Sequence, residues 1–126
     1  MRILLDTHIL LWWLADDPLL PGEATIAIAD ADTEVVVSAA SAWEISINAA
    51  SGRLVAPDDL LDALVANDFV TLAISASHAI AAGCLPAHHS DPFDRMLIAQ
   101  AQAEGLTLVS VDRRFPAYDV ELLSLS

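Results

Sequence analysis

Short aliphatic runs alternate along the chain with longer segments whose apolar positions recur at helical spacing. Residues 2–6 form such a run and end on Asp6-Thr7; the apolar stretch 8–14, stopped by Asp16-Asp17-Pro18, reads as a helix after a strand. Residues 23–32 are alanine-rich and helical by propensity. The β-branched run 34–38 predicts a buried strand, followed directly by a helix over 39–51 that stops at Gly52. Pro57-Asp58-Asp59 opens a helix carrying Leu60, Leu61, Leu64 and Val65, and residues 69–74 are again β-rich. A helix over 75–84 and a Pro- and His-bearing loop over 85–90 lead to Asp91-Pro92, which starts a helix that runs to Glu104 and ends at Gly105. A strand over 106–111, a turn over 112–116 and a last strand over 120–125 complete the pattern. Short strands with little polar alternation, separated by helices, predict an α/β fold whose parallel strands are buried on both faces. In such sheets the ligand site lies beyond the carboxyl ends of the strands, where Asp6 and Asp112 fall.

The length of 126 residues suits one domain, and 56% hydrophobic content supplies its core. No run approaches the ~20 apolar residues that span a bilayer, and the first residues reach Asp6 before a secretory leader could be completed, so the expected location is the cytoplasm, with no membrane contact. The single cysteine, Cys84, excludes an intrachain disulfide and a cysteine-based zinc cage. Charge changes the picture most. Against 18 acidic residues stand 5 basic ones, all arginine, for a formal net charge of −13. A broad basic patch for nucleic acid is therefore excluded, and any phosphate contact must be local. The absence of lysine and the scatter of Gly22, Gly52, Gly83 and Gly105 exclude phosphate-cradling and dinucleotide loops.

A parallel arrangement projects Asp6 and Asp112 from one sheet edge, but each also suits a helix N-cap, where an Asp side chain accepts from orphan amides. Asp91 is accounted for as the N-cap before Pro92; Asp94 sits one turn further on, beside Arg95, where the helix can turn it toward the same crevice. Glu44 shares a polar stripe with Ser41, Asn48 and Ser51, which is either a solvated helix face or a face turned to the crevice with Glu44 as a ligand. His88, His89 and Asp91 have metal-like spacing, yet they lack the helical His-Glu-x-x-His framework and read as loop residues. His8 and His78 read as structural, and Trp12, Trp13 and Trp43 as core or interface. Ser110 either bonds a neighbouring carboxylate or ends a strand. Carboxylates gathered without lysine repel one another until a cation neutralises them. Oxygen ligands favour Mg²⁺ or Mn²⁺, which makes phosphodiester hydrolysis the leading reaction.

Four segments, Leu4-Leu5-Asp6-Thr7-His8, Ser41-Ala42-Trp43-Glu44-Ile45, Asp91-Pro92-Phe93-Asp94-Arg95 and Ser110-Val111-Asp112, span nearly the whole chain. In this order they resemble the PIN-domain ribonucleases, in particular the VapC-type toxins of bacterial toxin–antitoxin pairs. The resemblance implies a three-layer fold over residues 1–126, with a central, mostly parallel sheet in strand order 3-2-1-4-5 flanked by helices. It also implies a Mg²⁺- or Mn²⁺-dependent endoribonuclease, a homodimer, and inhibition by a small antitoxin whose segment enters the active-site groove. Residue by residue, it puts the acidic quartet on Asp6, Glu44, Asp94 and Asp112 and the supporting hydroxyl on Ser110, with Thr7 as a second supporting residue. An RNA-cutting surface on so acidic a chain would rely on Arg95, Arg113 and Arg114.

Two other phosphoryl-transfer readings fail on the residues present. A haloacid-dehalogenase-type phosphatase needs Asp-x-Asp after its first strand and a later lysine, where this chain has Asp6-Thr7-His8 and none; a response-regulator receiver is excluded by the same missing lysine and acidic pair. The remaining rival is a catalytically inactive PIN-like module kept for protein binding.

Overall fold

Four parallel strands, β1 (Arg2–Leu5), β2 (Glu34–Ser38), β3 (Val70–Leu72) and β4 (Thr107–Val109), form the sheet in a computed structural model that describes residues 1–125. Their order is β3-β2-β1-β4. Leu5 pairs with Val37 on one side and Val109 on the other, and Val37 with Thr71 beyond. The helices are α1 (Thr7–Leu14), α2 (Gly22–Ala29), α3 (Ala39–Ala50), α4 (Leu60–Ala66), α5 (Ala76–Cys84) and α6 (Pro92–Glu104), with a 3₁₀ turn at Phe115–Ala117.

Alternate strand residues supply two cores. Ile3, Leu5, Val35, Val37 and Val109 pack with Ile9, Leu10, Ala27, Ile45 and Leu64 on one face. Leu4, Val36 and Leu108 pack with Leu97, Ile98, Ala101 and Phe115 on the other. That is why the central strands lack a polar face. Leu4 is fully buried, and a core leucine truncated to alanine costs about 2–5 kcal/mol, so Leu4→Ala threatens a chain of this size.

The fifth strand is shorter than expected. Residues 120–125 reach the β4 edge for a single parallel bridge, Leu108 to Leu122, made by the Leu108 amide on Glu121 O (2.8 Å) and the Leu123 amide on Leu108 O (3.0 Å). β4 itself stops at Val109, because the Ser110 hydroxyl turns to accept from the Asp112 amide (3.0 Å). A three-residue partner offers few ladder bonds to a further strand. β3 is exposed along most of its length, as an edge strand, rather than buried on both faces. α4 begins at Leu60 because Asp59, and not Pro57, caps it by accepting from the Asp62 amide (3.1 Å). Among the described residues no helix is long and apolar enough to cross a membrane.

Three short passages from strand to helix or turn set the site. Asp6 ends β1 and caps α1; Ser38 ends β2 and caps α3 with no loop between; Ser110 to Asp112 leave β4. α6 approaches from the other direction, started by Asp91 and Pro92 and stopped by Gly105, whose φ of 66° lies in the left-handed region that favours glycine.

Candidate active site

Asp6 is fixed by its backbone and its side chain together. Its amide donates to Val109 O (3.1 Å), tying β1 to β4, and its Oδ1 accepts from the Ile9 amide (2.9 Å). The capping and crevice readings of this residue are therefore compatible: one oxygen serves the helix and the carboxyl still lines the cleft. Thr7, buried next to it, donates its hydroxyl to Glu44 Oε1 (2.5 Å) and lies 3.2 Å from Ser41 Oγ. α3 starts directly on β2, so Glu44 comes just over a turn into the helix and turns inward with buried Ser41. Asp91 Oδ1 accepts from the amides of Phe93 (2.8 Å) and Asp94 (3.3 Å), which sets the first turn of α6 and carries Asp94 to the cleft. After β4, Asp112 Oδ1 accepts from the Arg114 amide (2.9 Å) and Nε (3.1 Å), and Oδ2 from Arg114 Nη2 (2.9 Å).

Asp6, Glu44, Asp94 and Asp112 line one cleft of about 320 Å³ beyond the carboxyl ends of β1 and β4, with Thr7, His8, Trp12, Asp91, Val111 and Arg114. Their electrostatics differ. Burial pushes the Asp6 carboxyl above its ordinary range, while the Ser110 hydroxyl and the Ile9 amide pull it down. Burial, and then the charge of Asp91, push the Asp94 carboxyl up from 3.8 to about 6, against the hydrogen bond from His89. Asp112 moves the opposite way: the Arg114 side chain holds its carboxyl below the ordinary range.

The family model of the PIN domain matches residues 3–121. The chain belongs to the PIN domain family. Over 119 residues it is 35% identical to Ribonuclease VapC22 of Mycobacterium tuberculosis, a match that covers 92% of this PIN domain chain and 91% of that protein. Solved structures with the same fold include VapBC2 from Rickettsia felis bound to a DNA fragment from their promoter, at TM-score 0.70 and 14% identity over 98% of each chain. A toxin–antitoxin complex from Klebsiella pneumoniae matches at TM-score 0.71 and 18% identity, also over 98% of each chain.

Two side chains of this PIN domain have partners that the sequence did not indicate. Arg95, expected at the RNA, is a carbonyl clamp: Nη1 donates to Pro86 O (2.9 Å) and His89 O (3.2 Å), and Nη2 to Ala82 O (2.8 Å), Gly83 O (3.4 Å) and Leu85 O (2.8 Å). It neutralises the carbonyl end of α5 and holds the 85–90 loop against α6. His89 is a loop residue, as expected, but it is buried behind two of the carboxylates, with Nε2 at 2.8 Å from Asp94 Oδ2 and 3.6 Å from Asp112 Oδ2. Its spacing to Asp91 and Asp94 was the available signal, but no periodicity describes a loop.

His78 is structural, forming a capping box with Ser75 at the start of α5. His8 is exposed, and its ring lies tilted against Trp12 (centroids 6.0 Å apart) at the cleft. Trp43 is 62% exposed and meets Phe93 edge-on, so it is not core. Of the polar stripe on α3, Ser41 is buried and Glu44 faces the cleft, while Asn48 lines the groove next to it with Arg53 and Ser90. Arg113 is exposed, one residue beyond Asp112.

Proposed function

We propose that this protein is a metal-dependent endoribonuclease that hydrolyses RNA phosphodiester bonds, and that it acts as the toxin of a toxin–antitoxin pair. The observation that carries the reading is the convergence of Asp6, Glu44, Asp94 and Asp112, from four separate segments, on one cleft at the carboxyl ends of parallel strands. The donor set fits a hard divalent ion, Mg²⁺ or Mn²⁺: oxygens dominate, no lysine offers an internal counter-charge, and burial makes the charges of Asp6 and Asp94 unfavourable until a cation arrives. When bound, such an ion neutralises the carboxylates and activates water for attack on phosphorus.

The chain's own residues do the rest. Asp6 is held rigidly between two strands, the Thr7 hydroxyl orients Glu44, and the Ser110 hydroxyl bonds both Asp6 and the Asp112 amide. Arg114, which lines the cleft, and exposed Arg113 beside it in sequence would meet an RNA phosphate, and Arg95, engaged elsewhere, is left out of that role. The partner is a small antitoxin protein, by likeness to the toxin–antitoxin neighbours, and a basic segment of it would find complementary charge at this cleft. A homodimer and a cytoplasmic location complete the proposal. Incubation with a panel of single-stranded RNAs tests it: cleavage is expected with Mg²⁺ or Mn²⁺ and none with chelator. A wild-type protein that cuts nothing under either metal is the inactive binding module instead.

A further inference from the structure

His89 has a side chain only 1% exposed, seated beside Phe115 (ring centroids 6.1 Å apart), and both ring nitrogens are engaged. Nδ1 accepts the Asp91 amide proton at 3.2 Å, so in the neutral ring the proton resides on Nε2. Nε2 therefore donates, at 2.8 Å, to Asp94 Oδ2. The ligand-capable atoms of His89, Asp94 and Asp112 lie within 4.8 Å of one another, which taken alone would suit a three-ligand metal centre. The hydrogen bonds argue otherwise: an imidazole whose bare nitrogen faces a backbone amide has no lone pair for the cleft.

Asp94 shares that geometry. One of its oxygens is tied to the buried ring, which leaves the other for the cleft. Asp91 links the parts, because its side chain caps α6 while its own amide sets the tautomer of His89. The turn that starts the helix thus also aims the carboxylate one turn along it.

We infer that His89 is a positioning residue: it holds Asp94 by one oxygen so that the other meets a divalent cation, and it does not bind the cation itself. The inference rests on the metal-dependent reading above. Outer partners of metal ligands orient them, and their loss weakens metal affinity by about 10–100-fold.

The test is Mn²⁺ titration of the full chain, free of RNA, followed by electron paramagnetic resonance. His89→Ala should weaken Mn²⁺ binding by about 10–100-fold, and His89→Gln, which keeps an N–H donor at similar reach, should recover most of it. His89→Leu fills the space without a donor and should behave as His89→Ala, which covers the case of a poorly folded alanine variant. Electron spin-echo modulation of the wild-type Mn²⁺ signal should lack the pattern of a directly bound imidazole nitrogen. Such a pattern, with no recovery in His89→Gln, would make His89 a ligand and overturn the inference. Wild-type affinity in both His89→Ala and His89→Leu overturns it alone, whereas a wild type that binds no Mn²⁺ overturns the nuclease reading with it.

Discussion

The inner wall of the cleft and its rim hold the same residue type under opposite forces. On the inner wall, no arginine hydrogen-bonds Asp6 or Asp94, and burial raises both carboxyls. At the rim, Asp112 turns both oxygens to Arg114, and that fork lowers its carboxyl. The rim carries its own counter-ion, two residues away in sequence, and on the metal-dependent reading the inner wall takes its own from solution. On that reading an entering metal ion would relieve one side and compete with a guanidinium on the other.

Removing an inner carboxylate breaks this contrast most severely. Asp6→Asn and Asp94→Asn should reduce RNA cleavage on the order of a hundredfold or more, with circular dichroism unchanged. Asn caps a helix as well as Asp does, and neither change removes core volume. A wild-type rate in both would end the nuclease reading.

Metal addition should separate the two sides next. Mn²⁺ at ~100 times its dissociation constant adds about 2.7 kcal/mol to the native state, several degrees in melting temperature for a chain of this size. Asp94→Asn, relieved of a buried charge, should melt at or above the wild type in chelator yet gain less from Mn²⁺. Equal shifts in thermal scans of both proteins would show that Asp94 does not share the ion.

The pH dependence has opposite signs on the two sides. Asp94 binds its proton more tightly in the fold than in the unfolded chain, so its contribution to stability is full below 3.8 and is lost as pH rises through about 6. Asp112 contributes above the ordinary carboxylate range and loses that contribution as pH falls through its lowered value. In chelator, Asp94→Asn should therefore flatten the decline in melting temperature between 3.8 and about 6, leaving the acid-side loss in place. An unchanged profile would place the titration elsewhere.

Changes at the rim should have the smallest effect. Arg114→Ala leaves the melting temperature nearly unchanged, because an exposed ion pair contributes little. Combined with Arg113→Ala, it should weaken RNA binding and flatten its salt dependence more than Arg2→Ala does, since Arg114 lines the cleft and Arg2 begins β1, at the opposite end of the strand. Equal salt slopes would mean that the phosphate is gripped elsewhere.

What the sequence could convey follows from the range of the forces involved. Caps and periodicity act within a turn or two, so the strand and helix order, the Asp91-Pro92 start and the Gly105 stop were readable. So was the nearness of the four carboxylates, and the two positions open to Asp6 are compatible, because it caps α1 and lines the cleft. The carbonyl contacts of Arg95 were not legible, because its partners gather only when α5 ends against α6. The burial of His89 and its bond to Asp94 were hidden for a related reason: they depend on the path of a loop, which hydrophobic pattern does not encode. The last strand carried an apolar signal in Leu122 and Leu123, but the length of its neighbour decides how many rungs it makes.

The central place of β1, between β2 and β4, also sets an order of assembly during synthesis. Its pairing with β2 can form early, but its other edge must wait for residues 107–109, a closure across nearly the whole chain and of the kind that makes folding slow. Asp6 is made almost first and Asp112 almost last, and the amide of Asp6 finds its acceptor only on Val109. A growing chain can therefore bring Asp6 and Glu44 together once β1 pairs with β2, but the cleft that Asp94 and Asp112 share with them closes only after β4 has joined the sheet.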